Sequence, residues 1–119
     1  MKSKRVLLVV EATKAAMNRA FREMKKPSGK YAGVTVLSFP SFELLGRVIT
    51  PARLELLSMI RKEKPKSIQE LSRLLKRDFK NVYQDVKALA DAGLLELKEQ
   101  GKGKASGLKA LYEELIFAA

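Results

Sequence analysis

At 119 residues the chain has room for one compact domain, or for a small domain carrying a subdomain, and at 46% hydrophobic residues it is expected to bury a core. It contains no cysteine and no histidine, which excludes disulfides, thiolate nucleophiles, histidine triads and nearly all zinc chemistry, and fits a reducing, cytoplasmic setting. Its net charge of +11 implies a polyanionic partner such as nucleic acid, an anionic membrane face or an acidic protein.

The opening MKSKRVLLVVEATK places a basic start before the apolar run VLLVV. That run is too short for a signal peptide or a membrane span and reads as a buried strand. Thr13 is placed to cap a helix in which Ala16, Met17, Ala20, Phe21 and Met24 recur at helical spacing. Lys14, Arg22 and Lys25 fall on its other face. Pro27-Ser28-Gly29 ends it, and YAGVTVLSF reads as a second strand stopped by Pro40. Residues 1–40 are thus expected to form a small β-α-β subdomain for dimerisation or partner binding. They carry 9 Lys/Arg against 2 Asp/Glu, a net +7, which leaves +4 for residues 41–119.

SFELLGRVI reads as a short amphipathic segment leading to Thr50-Pro51, an N-cap followed by proline at the first helical position. The helix is expected to reach about Lys64 with Leu54, Leu57 and Ile60 inward, and Pro65 to end it. Ser67-Ile68-Gln69-Glu70 has the pattern of a capping box, and Leu71, Leu74 and Leu75 are expected to form the apolar face behind it. Asp78 is placed to cap a third helix that runs to Gly93, a natural left-handed stop. LLELK follows as a strand, EQGKGKASG as a loop, and LKALYEELIF as a segment with helical spacing where the order requires a returning strand. A returning strand is favoured over at least part of residues 108–117, with helix the alternative.

The third helix carries the functional signal. At about 100° per residue, Phe79, Val82, Val86 and Leu89 share one side and form the expected core face. Lys80, Asn81, Gln84, Lys87 and Ala88 share the other, with Tyr83 at the border and Asp85 and Asp91 towards the sides. Two amides suited to adenine and two lysines suited to guanine or phosphate describe a helix that enters a major groove about 12 Å wide. Arg77, just before the helix, is expected at a phosphate. Lys102 and Lys104, in a glycine-rich loop between two strands, stand where a winged helix carries its wing. A solvated polar face and a mobile hairpin tip are the bland readings of these features taken singly. The order of helix, capping box, short turn, polar-faced helix, strand, basic loop and strand raises DNA binding above them.

TPARLELLSMIRKEKPKSIQELSRLLKRDFKNVYQDVKALADAGLLE resembles the winged helix-turn-helix of MarR-like transcriptional regulators, and is especially similar to small predicted DNA-binding regulators of archaea and bacteria. The resemblance spans about Ser41 to Lys104 and is weaker over the N-terminal part. It implies an α+β fold, a winged helix-turn-helix domain over 41–119 preceded by the β-α-β subdomain over 1–40. It further implies a homodimer on double-stranded DNA, with Lys80, Asn81, Gln84 and Lys87 at the interface and Lys102 and Lys104 in the wing; Arg77 and Tyr83 join this set from their places just before the helix and at the border of its polar face. The chain departs from the pattern in the turn, with Lys76 where glycine is common and Arg77 where an apolar residue is common; Phe79 is expected to supply that apolar contact. The recognition helix also lacks arginine, the commonest reader of guanine.

Two other functions stay open. One is an antitoxin-like adaptor whose basic N-terminal half grips an acidic, toxin-like protein; the other is an RNA-binding winged helix. An enzyme is not expected, because the carboxylates are scattered and GKGKASG lacks the Walker spacing. No cofactor, metal or membrane contact is expected.

Overall fold

The computed structural model describes residues 5–10, 14–26, 33–98 and 107–118. The chain is α+β and divides into two units, one made of residues 1–47 with 112–119 and the other of residues 48–111.

The first unit is organised on β1 (Arg5–Val10). Val6 to Val10 are all buried, so both faces of the strand are covered, which is why it reads as an unbroken apolar run. β1 pairs in parallel with β2 (Thr35–Phe39), Val6 beside Thr35 and Val10 beside Phe39. The crossover that a parallel pair needs is α1 (Lys14–Lys25). On its other edge β1 pairs in parallel with β5 (Glu114–Ala118), Val6 beside Leu115 and Leu8 beside Phe117. Leu7, Val9 and Val34 form a core cluster against which Val36 and Ile116 pack. Lys14, Arg22 and Lys25 are exposed on α1. Phe21, expected inward, is 41% exposed. Thr13 and the side chains of Ala16, Met17, Ala20 and Met24 lie outside the described residues. In α2 (Phe42–Val48) no residue is buried; Ser41 caps it, its hydroxyl accepting from the Leu44 N–H at 3.2 Å.

The second unit begins with α3 (Pro51–Glu63). Thr50 Oγ1 accepts from the Arg53 N–H at 3.2 Å, the expected cap. The buried stripe is Leu56, Leu57 and Ile60, whereas Leu54 is 42% exposed. The inward row is 53-56-57-60, with Arg53 where an apolar residue would ordinarily begin it, and Leu54 lies one step round the helix. Lys64, at φ +48°, closes α3 with its N–H on the Ile60 carbonyl at 3.0 Å.

In α4 (Ile68–Leu75), Ser67 Oγ accepts from the Glu70 N–H at 3.0 Å. The Glu70 carboxylate reaches back to the Lys66 N–H at 3.3 Å, one residue further than a standard capping box. Ile68, Leu71 and Ser72 are buried; Leu74, expected on that face, is 39% exposed. Ser72 tolerates burial because its hydroxyl donates to the Gln69 carbonyl at 2.8 Å. The turn that follows has Lys76 at φ +55°. The Lys76 N–H donates to the Arg73 carbonyl and the Arg77 N–H to the Ser72 carbonyl, at 3.2 and 3.1 Å, a Schellman closure without glycine.

α5 (Phe79–Asp91) buries Val82, Val86 and Leu89 completely. Two expectations at its start are corrected. Asp78 makes no side-chain capping bond and instead offers its backbone carbonyl to the Val82 N–H at 3.1 Å. Phe79 is 49% exposed and therefore does not fill the core of the turn. At the other end Gly93, at φ +84°, stops the helix as expected, with the Leu94 N–H on the Leu89 carbonyl and the Gly93 N–H on the Ala90 carbonyl.

β3 (Leu95–Lys98) pairs antiparallel with β4 (Gly107–Ala110), Leu95 opposite Ala110 and Lys98 opposite Gly107. Residues 108–117 are thus strand in two pieces, broken at 111–113, with β4 and β5 in different sheets. Their helical spacing is what two short apolar strands on either side of a bend produce. The expected boundary at 40/41, with everything after it in one domain, is accordingly redrawn: β5 joins the sheet of β1, and residues 48–111 form an insertion between two pieces of the first unit.

Because β1 is the middle strand, ending the chain at Leu111 should expose one of its edges. Amide hydrogen exchange of Val6 to Val10 is expected to quicken at least tenfold in that truncation; unchanged protection would mean that β5 contributes nothing to the sheet.

Candidate nucleic-acid interface

The inner row of α5 is apolar and fully buried, so the helix cannot rotate about its axis without exposing Val82, Val86 and Leu89. What it leaves in solvent is therefore fixed. Lys80, Asn81, Tyr83, Gln84 and Lys87 are all exposed. At i, i+4 spacing they stand on two neighbouring ridges, Phe79-Tyr83-Lys87 and Lys80-Gln84-Ala88, with Asn81 beyond the second. Asp91 is exposed at the far end of the Lys80-Gln84-Lys87 side, so the first three turns are basic and the last is acidic.

Arg77 is placed otherwise than expected. Its Nη2 donates to Asp85 Oδ2 at 2.8 Å, while Arg53 Nε donates to Asp85 Oδ1 at 3.0 Å. The three side chains are 31%, 18% and 15% exposed for Arg77, Arg53 and Asp85, which makes this a half-buried cluster. It fastens α3, the α4–α5 turn and α5 to one carboxylate. Arg53 Nη1 also donates to the Val48 carbonyl at 3.1 Å. Arg77 Nη1 is buried with no hydrogen-bond partner among the described residues. Arg77 therefore braces the helix from behind rather than extending towards a backbone phosphate.

Lys102 and Lys104 lie outside the described residues; β3 and β4, which flank their segment, are both described. The redrawn units also redistribute charge. Residues 48–111 hold 14 Lys/Arg and 8 Asp/Glu, a net +6, and the remainder holds 10 and 5, a net +5. The unit with the candidate helix is thus no less basic than its companion, contrary to the contrast drawn at residue 40.

Two features escaped sequence reasoning. Phe79 is stacked on Tyr83, ring centroids 6.2 Å apart and planes 26° from parallel, and both rings are open to solvent. The Arg53–Asp85–Arg77 cluster carried a detectable signal, an arginine at the head of an inward row, which requires a carboxylate opposite it. Among the described residues no group of three or more His, Cys, Asp or Glu comes together as a metal site, and no helix is long and apolar enough to cross a membrane.

A family model described as HVO_A0114 matches residues 48–115. That is more than half of the chain, and the chain belongs to this family. The match starts where the second unit starts and runs four residues past its end, so it covers the whole unit that contains α5. No curated protein matches the chain.

Removing the carboxylate would leave two guanidinium groups facing each other. Asp85→Ala is expected to lower unfolding stability by about 2–4 kcal/mol, somewhat less than for a fully buried pair because all three groups retain some solvent. Lys80→Ala, on the open side, should change it by less than about 0.5 kcal/mol. Urea unfolding followed by circular dichroism measures both, and equal effects would remove the distinction between brace and open face.

Proposed function

We propose that this member of the HVO_A0114 family is a sequence-specific, double-stranded DNA-binding transcriptional regulator that acts without catalysis or cofactor in the cytoplasm. Residues 48–111 act as a winged helix-turn-helix of MarR-like type, with α4 and α5 as the helix-turn-helix, α5 in the major groove and the β3–β4 connection as the wing. The observation that carries the reading is the exposed side of α5. Its first three turns present two lysines and two amides with no carboxylate, on a helix whose inner row and Asp85 clasp deny it any other orientation.

Lys80, Asn81, Gln84 and Lys87 supply base-edge and phosphate contacts, Tyr83 flanks them, and Lys102 and Lys104 add phosphate contacts from the wing. Arg77 is a positioning residue. The tight α4–α5 turn supports the same reading, since Phe79 and Lys80 at the start of α5 are exposed and no side chain caps its first N–H groups.

The first unit favours a protein partner. Phe42 and Phe117 are 57% and 49% exposed and touch each other, centroids 6.3 Å apart, on a unit of net +5. A second copy of the chain or an acidic, toxin-like protein would cover such a surface, and either role is compatible with DNA binding by the second unit.

The test is binding of the purified full chain to its own upstream DNA against scrambled duplex, over a salt series. Preference for the upstream DNA is expected, and Lys80→Ala with Gln84→Ala should abolish it while the fold persists. Each lysine that contacts phosphate adds about 0.9 to the salt slope on B-DNA; Lys102→Ala and Lys104→Ala should each lower it by about that amount, and Arg77→Ala should not. A steep slope without preference would defeat the reading, and tighter binding to structured RNA would transfer it to RNA.

A further inference from the structure

Phe79 is the residue that the fold leaves without an occupation. It heads α5, its ring is about half exposed, and the apolar row behind it is filled by Val82, Val86 and Leu89. Tyr83 supports it by stacking at 6.2 Å, which holds the ring to one side of the helix at its leading turn. On the neighbouring ridge stands Gln84, and beyond that ridge Asn81, both with amides that can pair with the N6 and N7 of adenine. An A·T pair shows those two adenine atoms and the thymine 5-methyl side by side in the same groove, and that methyl is the one apolar feature any base pair offers there.

We propose that Phe79, propped by Tyr83, reads the 5-methyl group of thymine, so that the site bound by this chain contains an A·T pair recognised jointly by an amide and an aromatic ring. The inference rests on the DNA-binding reading and adds to it a base and the residue that selects that base. It accounts for a half-exposed phenylalanine beside a set of polar readers. It also agrees with the absence of arginine from α5, which leaves the helix without the usual reader of guanine.

The test uses the full chain and duplexes recovered from a random-sequence pool by repeated binding and amplification. Each thymine of the recovered consensus is then replaced singly by deoxyuridine, which removes the methyl and leaves base pairing intact. At one thymine per half-site the wild-type chain is expected to bind about fourfold more weakly, the worth of one buried methyl-sized group. Phe79→Ala should bind the thymine and uracil duplexes equally, and Phe79→Leu, which keeps an apolar tip, should recover part of the difference. Circular dichroism checks that each variant keeps its helices.

A consensus with no uracil-sensitive position overturns the inference and leaves DNA recognition standing. So does a uracil penalty that persists in Phe79→Ala, and so does a change of oligomeric state in Phe79→Ala with the penalty intact, which would mark the ring as a protein contact. If no duplex is enriched from the pool, the DNA-binding reading fails and this inference with it.

Discussion

Asp85 sits on the flank of α5 and holds two guanidinium groups, one from the start of α3 and one from the turn that precedes α5. Apolar packing alone would seat α5 but would tolerate sliding along its axis, because dispersion contacts are individually weak and carry little directional preference. A carboxylate with one donor on each oxygen is directional in both distance and angle. It ties the α4–α5 turn, the first helix of the unit and α5 to one point. Whatever α5 presents to solvent is presented at a height and rotation that this cluster sets. Desolvation of the three charges offsets much of their Coulomb gain, so the cluster contributes more to the definition of the geometry than to net stability.

The two lysines with positive φ follow from the same need for short, sharp connections. Lys64 and Lys76 each occupy the left-handed conformation at the end of a helix, where glycine would be free of the Cβ penalty of about 1 kcal/mol or more. Each turn recovers part of that cost by satisfying carbonyls that the helix would leave open. Lysine also brings a cation to the negative end of the helix it terminates, where the macrodipole favours positive charge.

Much of the fold was legible because its signals are local. Thr50-Pro51, Ser67 with Glu70, and Gly93 act within four residues of themselves, and the structure has them at the helix ends, although Glu70 reaches Lys66 rather than Ser67. The misassigned positions differ in cause: Leu54 and Leu74 are apolar side chains one step off the inward row, whereas Phe79 heads its row at the first turn of α5 and remains half exposed there. Periodicity alone does not separate a row beginning 54-57 from one beginning 53-56, and the deciding fact is an arginine held inward by an aspartate 32 residues away. The partner of strand β5 was illegible for a related reason. That partner is the first strand of the chain, and nothing within LYEELIFAA names a partner so distant in sequence.

The location of β5 changes what the basic charge means. A cut at residue 40 makes the front of the chain the electropositive part and residues 41–119 its modest companion. Once the C-terminal strand, with Glu113 and Glu114 at its entry, is counted with the sheet of β1, the first unit falls to +5 and the second stands at +6. The charge that an anionic partner would meet is then carried by the same unit that carries α5. Within α5 the cations occupy the first three turns, and Asp91 stands at the last. A polyanion would be drawn to the side of α5 that holds Lys80 and Lys87, where the exposed amides and the stacked rings are also found, and away from Asp91 and from Asp78, exposed just before the helix. The polarity of that one helix, more than the total charge, gives the interface a direction.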